Sequence, residues 1–238
     1  MPRPKVILLD AVGTVIESFP SVAAAYQSAA LSIGLGRDID QLKTRFREAI
    51  RRYSVQAFQA SRGQADPLQT DEAAERQRWL AIVSYVVDPP EHLQLDLFEK
   101  LWDHFADPQH WRVFPDVSPA LSKLAAAGFR LGLASNFDER LRPIVAQHFP
   151  AFDLCLFISS EMGWVKPSHH FYESATTQLN VAPDEVLLIG DDWENDVESP
   201  KNFGWQTIFL NRTDQALPGD ITNHFRNLDE TAEAILRD

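Results

Sequence analysis

Carboxylates close two apolar runs in this chain. Val6 to Leu9 ends on Asp10, with Ala11-Val12-Gly13-Thr14 behind it. Val186 to Gly190 ends on Asp191-Asp192, and Trp193-Glu194-Asn195-Asp196 follows. A third run, Arg130 to Ser135, hands over to Asn136, and Lys166-Pro167 lies between the last two runs. Asp10 and Asp191, if they converge, suit a hard divalent cation such as Mg²⁺, which takes oxygen ligands, keeps several waters and pairs with phosphate. Without a cation or Lys166 nearby, the two carboxylates would repel each other. Lys166 offers a point positive charge for a phosphoryl group, and Ser135 and Asn136 offer hydroxyl and amide donors for its oxygens. A carboxylate so placed can act as a nucleophile and form an aspartyl-phosphate. Singly, each residue has an ordinary role: Asp10 as a turn residue, Ser135-Asn136 as a helix cap, Lys166 on the surface, 190–196 as an acidic loop. Their joint order, all at the ends of apolar runs, is what points to a site.

The elements that must position them follow from pattern. The runs at Val6, Arg130, Asp153 (DLCLFISS), Val186 and Trp205 (WQTIFL) are short, aliphatic and bounded by turn residues, which reads as strands buried on both faces. Helical spacing separates them: Asp116 to about Gly128, Glu139 to His148, Ser168 to Leu179, Asp196 to Phe203, and a last helix over 229–236. Strands alternating with helices imply parallel βαβ units, and a parallel sheet places Asp10, Ser135-Asn136 and Asp191-Asp192 on its ligand-binding edge.

Between the first two strands the texture differs. Four amphipathic helices are expected, over Ser21–Ile33, about Asp38–Tyr53, from Asp71 to Val86, and from Glu91 to Phe105, with a loop at Gly63–Pro67. A helical crossover needs only a dozen or so residues, so this segment is an insertion, placed to roof over Asp10 as a lid. The expected organisation is an α/β, Rossmann-like parallel-sheet core (1–16 and 110–238) with an inserted all-helical cap (17–109). The basic cluster Lys43, Arg45, Arg47, Arg51 and Arg52 reads as a solvated face. Tyr26, Tyr53 and Trp164 are candidates to line the crevice, with core packing the plainer reading of the tyrosines.

Composition narrows the function classes. The 238 residues carry a net charge of −12, which disfavours nucleic acid or an anionic membrane as partner. It also means that a phosphate site needs local cations. The single cysteine, Cys155, excludes an internal disulfide and reads as a small hydrophobe. The apolar segment behind Arg3 and Lys5 is broken by Asp10, too short for a signal peptide or a membrane span. A cytoplasmic protein is the expectation.

The four motifs DAVGT (10–14), SN (135–136), KP (166–167) and GDDWEND (190–196) together resemble the haloacid dehalogenase-like superfamily of hydrolases, and the inserted segment resembles their helical cap. SNFDERL followed by GWVKP looks closest to the HAD-like hydrolase domain-containing type. The resemblance implies roles by position. Asp10 would be nucleophile and Mg²⁺ ligand, with the carbonyl of Val12 and Asp191 as further ligands and Asp192, Asn195 and Asp196 in support. Thr14, Ser135, Asn136 and Lys166 would hold the phosphoryl group of a small phosphorylated metabolite. One position departs. Val12 stands where family phosphatases usually carry a second Asp that protonates the leaving group, help worth about 10²–10⁴-fold in rate. Ser168 also stands where an Asp often follows KP. Haloacid dehalogenases lack that second Asp too and need no metal, but they do not keep the acidic set retained here at 190–196. Mg²⁺-dependent phosphomonoester hydrolysis is the reading this favours. A non-catalytic phosphometabolite- or protein-binding module and a 2-haloacid dehalogenase are the alternatives.

Overall fold

The computed structural model describes residues 3–214, 216 and 223–237. Its centre is β1 (Val6–Leu9), which lies between β4 (Arg130–Ser135) and β6 (Val186–Gly190) and is parallel to both. Beyond them lie β5 (Cys155–Ile158) on one side and β7 (Gln206–Leu210) and β8 (His224–Phe225) on the other, giving a six-stranded parallel sheet in the order β5-β4-β1-β6-β7-β8. The expected Rossmann-like core is therefore present.

All four residues of β1 are buried, and their alternation divides the core. Ile7 and Leu9 join Leu131, Leu133, Leu187 and Ile189 against α6 (Val117–Ala126), α7 (Leu141–His148) and the last helix (Leu228–Arg237). Val6 and Leu8 face the opposite layer with Val186 and Leu188, against Phe171, Tyr172 and Ala175 of the helix His169–Leu179. Burial on both faces explains why the strands read as continuous apolar runs and not as alternating ones.

The inserted segment has its own core. It contains α1 (Val22–Ser32), α2 (Ile39–Arg52), α3 (Val55–Ser61), α4 (Glu72–Val87) and α5 (Glu91–Ala106), packed around Tyr26, Leu42, Ile82, Val86, Leu97 and Leu101. Four helices were expected here; the structure has five. The extra one, α3, is short and starts at Ser54, whose hydroxyl accepts from the Ala57 N–H. A two-stranded antiparallel ribbon, β2 (Ile16–Ser18) with β3 (Trp111–Val113), carries the chain out of the core and back. Sequence patterning also missed this pair, because three-residue strands contain too little periodicity to register.

Cap and core are joined by main chain as well as by side chains. The Val165 N–H donates to the Leu68 carbonyl and the Thr70 N–H to the Gly163 carbonyl, each at 3.0 Å. Glu72 at the start of α4 accepts from the Glu139 N–H at 3.0 Å and from the Ser160 hydroxyl. The cap is thus tied to the residues that lead directly into Lys166. Among the described residues, no helix is long and apolar enough to cross a membrane.

Candidate active site

Three strand ends converge as the motif spacing requires. Asp10 follows β1, with its N–H donating to the Ile189 carbonyl of the neighbouring strand. Asp191 follows β6, and Ser135 ends β4. The loop 163–168 brings Lys166 beneath them. The Lys166 ammonium is buried and fully engaged, donating to Asp10 Oδ1 at 2.9 Å, Asp196 Oδ1 at 2.6 Å and the Ala134 carbonyl at 2.7 Å. Burial opposes its charge, but Asp10 and Asp196 outweigh that and hold its pKa well above the ordinary lysine range.

The acidic groups are crowded because two glycines permit it. A Cβ on Gly13 would stand 2.4 Å from Asp191 Oδ2, and Gly13 also has φ +92°, a left-handed backbone that disfavours a side chain. A Cβ on Gly190 would stand 2.2 Å from Asp196 Oδ2. Asp191 Oδ1 accepts from the Thr14 hydroxyl at 3.0 Å. Burial, with the charge of Asp10 behind it, pushes the Asp191 carboxyl up to about 6. Asp196 is raised as well, first by burial. Beyond β6 the chain enters a wide π-type turn, Trp193–Glu198, capped by Asp192, whose carboxylate accepts from the Asn195 N–H at 2.9 Å.

Asp10, Asp191 and Asp196 each offer an oxygen within 4.8 Å of the others. One ammonium faces three carboxylates, so the nest carries excess negative charge, which a divalent cation would neutralise. Asp196 has both oxygens occupied, one by Lys166 and the other by the Asp192 N–H at 3.1 Å. Asp10 Oδ2 and Asp191 Oδ2 are the carboxylate oxygens of the nest left without a hydrogen bond among the described residues. The donor set, all hard oxygen, fits Mg²⁺ and not a soft metal.

Several expected residues are bonded within the protein. Thr14 is fully buried and its hydroxyl donates to Asp191. Asn136 holds the main chain of Lys166 from both ends of its amide: its Nδ2 donates to the Lys166 carbonyl at 2.8 Å and its Oδ1 accepts the Lys166 N–H at 2.7 Å. It positions the lysine. Ser135 is buried, with a hydroxyl that bonds to no described residue. Asn195 lends its carbonyl to the Tyr172 hydroxyl at 2.8 Å. Arg212, which the sequence did not single out, grips the Thr14 carbonyl through Nη2 at 2.8 Å and Asp116 through Nη1 at 2.9 Å. It is an isolated arginine after β7, and no local pattern marks it.

Val12 is 42% exposed, and beside it a cavity of about 260 Å³ opens between core and cap. Of the three aromatic candidates for its wall, none lines it. Tyr26 packs on Phe46 inside the cap, Tyr53 on Tyr85, and Trp164 on His170. The basic cluster of α2 also lies elsewhere: Lys43 pairs with Asp40, and Arg45 donates to the Tyr85 and Val86 carbonyls at the end of α4.

Comparison with known proteins gives a consistent picture. A model of haloacid dehalogenase-like hydrolases matches residues 4–204. Haloacid dehalogenase-like hydrolase domain-containing protein 3 of Danio rerio is 27% identical over 214 residues, 87% of this chain and 85% of that one. A glyceraldehyde 3-phosphate phosphatase of Methanopyrus kandleri is 33% identical over 104 residues, covering 42% of this chain and 43% of its own. Among solved structures, the L-2-haloacid dehalogenase of Xanthobacter autotrophicus superposes with a TM-score of 0.69 at 18% identity, covering 98% of each chain. That last likeness is one of fold.

Proposed function

The chain belongs to the haloacid dehalogenase-like hydrolase family, and from that premise we propose that it hydrolyses phosphate monoesters with Mg²⁺ through an aspartyl-phosphate on Asp10. The observation that carries this reading is the nest itself: an all-oxygen acidic cluster with one buried ammonium, at the ends of parallel strands. The phosphatase relative adds support over the part of the chain it matches.

Asp10, Asp191 and the Val12 carbonyl would hold the ion, which would supply positive charge against the negative charge of the phosphoryl oxygens. Lys166 fixes Asp10 Oδ1 and leaves Oδ2 as the attacking oxygen. That oxygen bonds to phosphorus as the ester P–O bond breaks, and the leaving oxygen departs with the bonding pair. Ser135 donates its free hydroxyl to the transferring group. Water then attacks the aspartyl-phosphate, releasing inorganic phosphate and restoring Asp10. Val12 can give no proton to the leaving oxygen, so the best substrates are those whose leaving group is stable as an anion.

Phosphate release from an aryl phosphate, with and without Mg²⁺, tests this. Release is expected only with the metal, and Asp10→Asn should bring it to the detection limit. Val12→Asp should raise turnover of alkyl esters by about 10²-fold or more. The exposed valine also motivates a second reading, a binding module on an inherited scaffold. No release by the native chain, with turnover restored in Val12→Asp, would favour it. Metal-independent chloride release from a 2-chloro acid would instead point to dehalogenation.

A further inference from the structure

The cavity beside Val12 has a chemistry of its own. Its wall is Val22, Phe46, Trp79 and Phe105 from the cap, with Trp111 and Phe137 from the core side. Polar residues also reach it, but nearly all their atoms are already used. Glu75 accepts from the Thr70 hydroxyl at 2.9 Å and from Arg78 at 2.6 Å. Asn136 is committed at both ends of its amide to Lys166. Asp138 takes Arg140 Nε and Nη2, each at 2.7 Å. The exceptions are the Trp79 indole N–H, which bonds to no described residue, and Arg140 Nη1. Arg140 is 8% exposed, and its guanidinium lies 3.6 Å over the Trp102 ring, yet this nitrogen donates to nothing among the described residues. Both ion pairs at the cavity are internally neutral, so the wall favours no net charge.

We infer that the group leaving from phosphorus is an aryl oxide, its ring seated between Trp79, Phe46 and Phe137, with one neutral acceptor such as a carbonyl oxygen facing Arg140 Nη1. The inference rests on the phosphate-ester reading for the position of the phosphoryl group. Size agrees: an apolar cavity of about 150 Å³ holds a benzene ring, so this one has room for a substituted ring. A sugar or polyol of equal size would bury several hydroxyls against aromatic faces with few free donors to meet them, and unpartnered buried hydroxyls are strongly disfavoured. Val12 fits the same picture. A valine side chain extends the apolar wall up to the nucleophile's loop, where an Asp would put a charge at its mouth. A phenol or enol also departs as an anion without a proton donor.

The test uses non-hydrolysable probes on the full chain with Mg²⁺, titrated by calorimetry. Benzylphosphonate should bind at least tenfold more tightly than 2,3-dihydroxypropylphosphonate and with a negative heat-capacity change, the mark of apolar burial. 4-Acetylbenzylphosphonate should gain a further severalfold over benzylphosphonate. Phe46→Asn should erase most of the benzyl preference, and the native-chain comparison stands if that variant fails to fold. Equal or tighter binding of the dihydroxypropyl probe would overturn the proposal. Equal affinity of the two benzyl probes would overturn the assignment of Arg140. Failure of the hydrolytic reading looks different: the benzyl preference would persist while no phosphate ester is turned over.

Discussion

The five residues from Asp10 to Thr14 border two unlike regions. On one side lies the acidic nest, where Lys166 donates all three of its N–H bonds and where glycines at 13 and 190 admit carboxylates that any side chain would displace. On the other lies the cavity under the cap, walled largely by aromatic rings. The nest is tightly built, with Lys166 bonded to three groups and both oxygens of Asp196 engaged. The cavity is under-filled. Substitutions should therefore be costly on the first side and mild on the second, and that contrast can be broken by experiment.

The largest effect is expected at Lys166. Lys166→Met leaves Asp10 and the buried Asp196 without their counter-ion, and removing one partner of a buried pair costs about 3–5 kcal/mol. Urea denaturation in metal-free buffer measures it. A loss below about 1 kcal/mol would mean that the nest is not held by charge balance. Adding Mg²⁺ should recover part of the deficit, since a ligand that binds only the folded form stabilises it.

Gly190→Ala comes next. The added methyl would meet the Asp196 carboxylate at 2.2 Å, and Asp196 cannot withdraw without leaving Lys166. Overpacking of this kind costs about 1–3 kcal/mol, readable as a lowered Tm. Unchanged Tm and unchanged turnover would show that the nest has slack.

This contrast also marks what was legible in the sequence. The nest was readable because its residues declare themselves by type at the ends of apolar runs, and a parallel sheet brings such ends to one edge. Even so, the resemblance assigns Asn136 and Thr14 to the phosphoryl group and gives no sign that they also bond Lys166 and Asp191, as the structure shows. Residue type tells which hydrogen bonds a side chain can make and not which neighbour claims them first. The cavity was not readable. Val22, Phe46, Trp79 and Trp111 come from four separate segments. Amphipathic spacing assigns such residues to a buried face without saying whether that face meets another helix or a void. The ribbon β2–β3 and the short helix α3 escaped because each is shorter than the window in which a period can be counted.

On the cavity side, Phe46→Leu, which keeps an apolar side chain in a wall already facing open space, should change stability by less than about 1.5 kcal/mol. Phe46 already faces open space, and its main fixed partner is Tyr26, edge-on at 5.6 Å. A loss as large as that of Gly190→Ala would show the wall to be as tightly built as the nest.

The smallest effect lies where the last helix of the cap returns to the core. His104, near the end of α5, stacks on His110 with ring centroids 3.6 Å apart, and its Nε2 is buried with no partner. Burial first, and then the neighbouring His110, lower the His104 pKa from its ordinary value, while Asp107 pulls weakly the other way. In the unfolded chain the imidazole takes its proton near the ordinary histidine value of about 6.5; in the folded chain it resists until lower pH. Between those two values the unfolded state binds more protons. Stability is therefore full above the ordinary value and falls as pH drops through the window below it. His104→Phe removes both the titrating nitrogen and the unpartnered buried atom, so its Tm should fall less than that of the native chain between neutral pH and about pH 5. Parallel curves for the two proteins would place the acid sensitivity elsewhere, in the carboxylates of the nest and not in the joint that holds the cap over them.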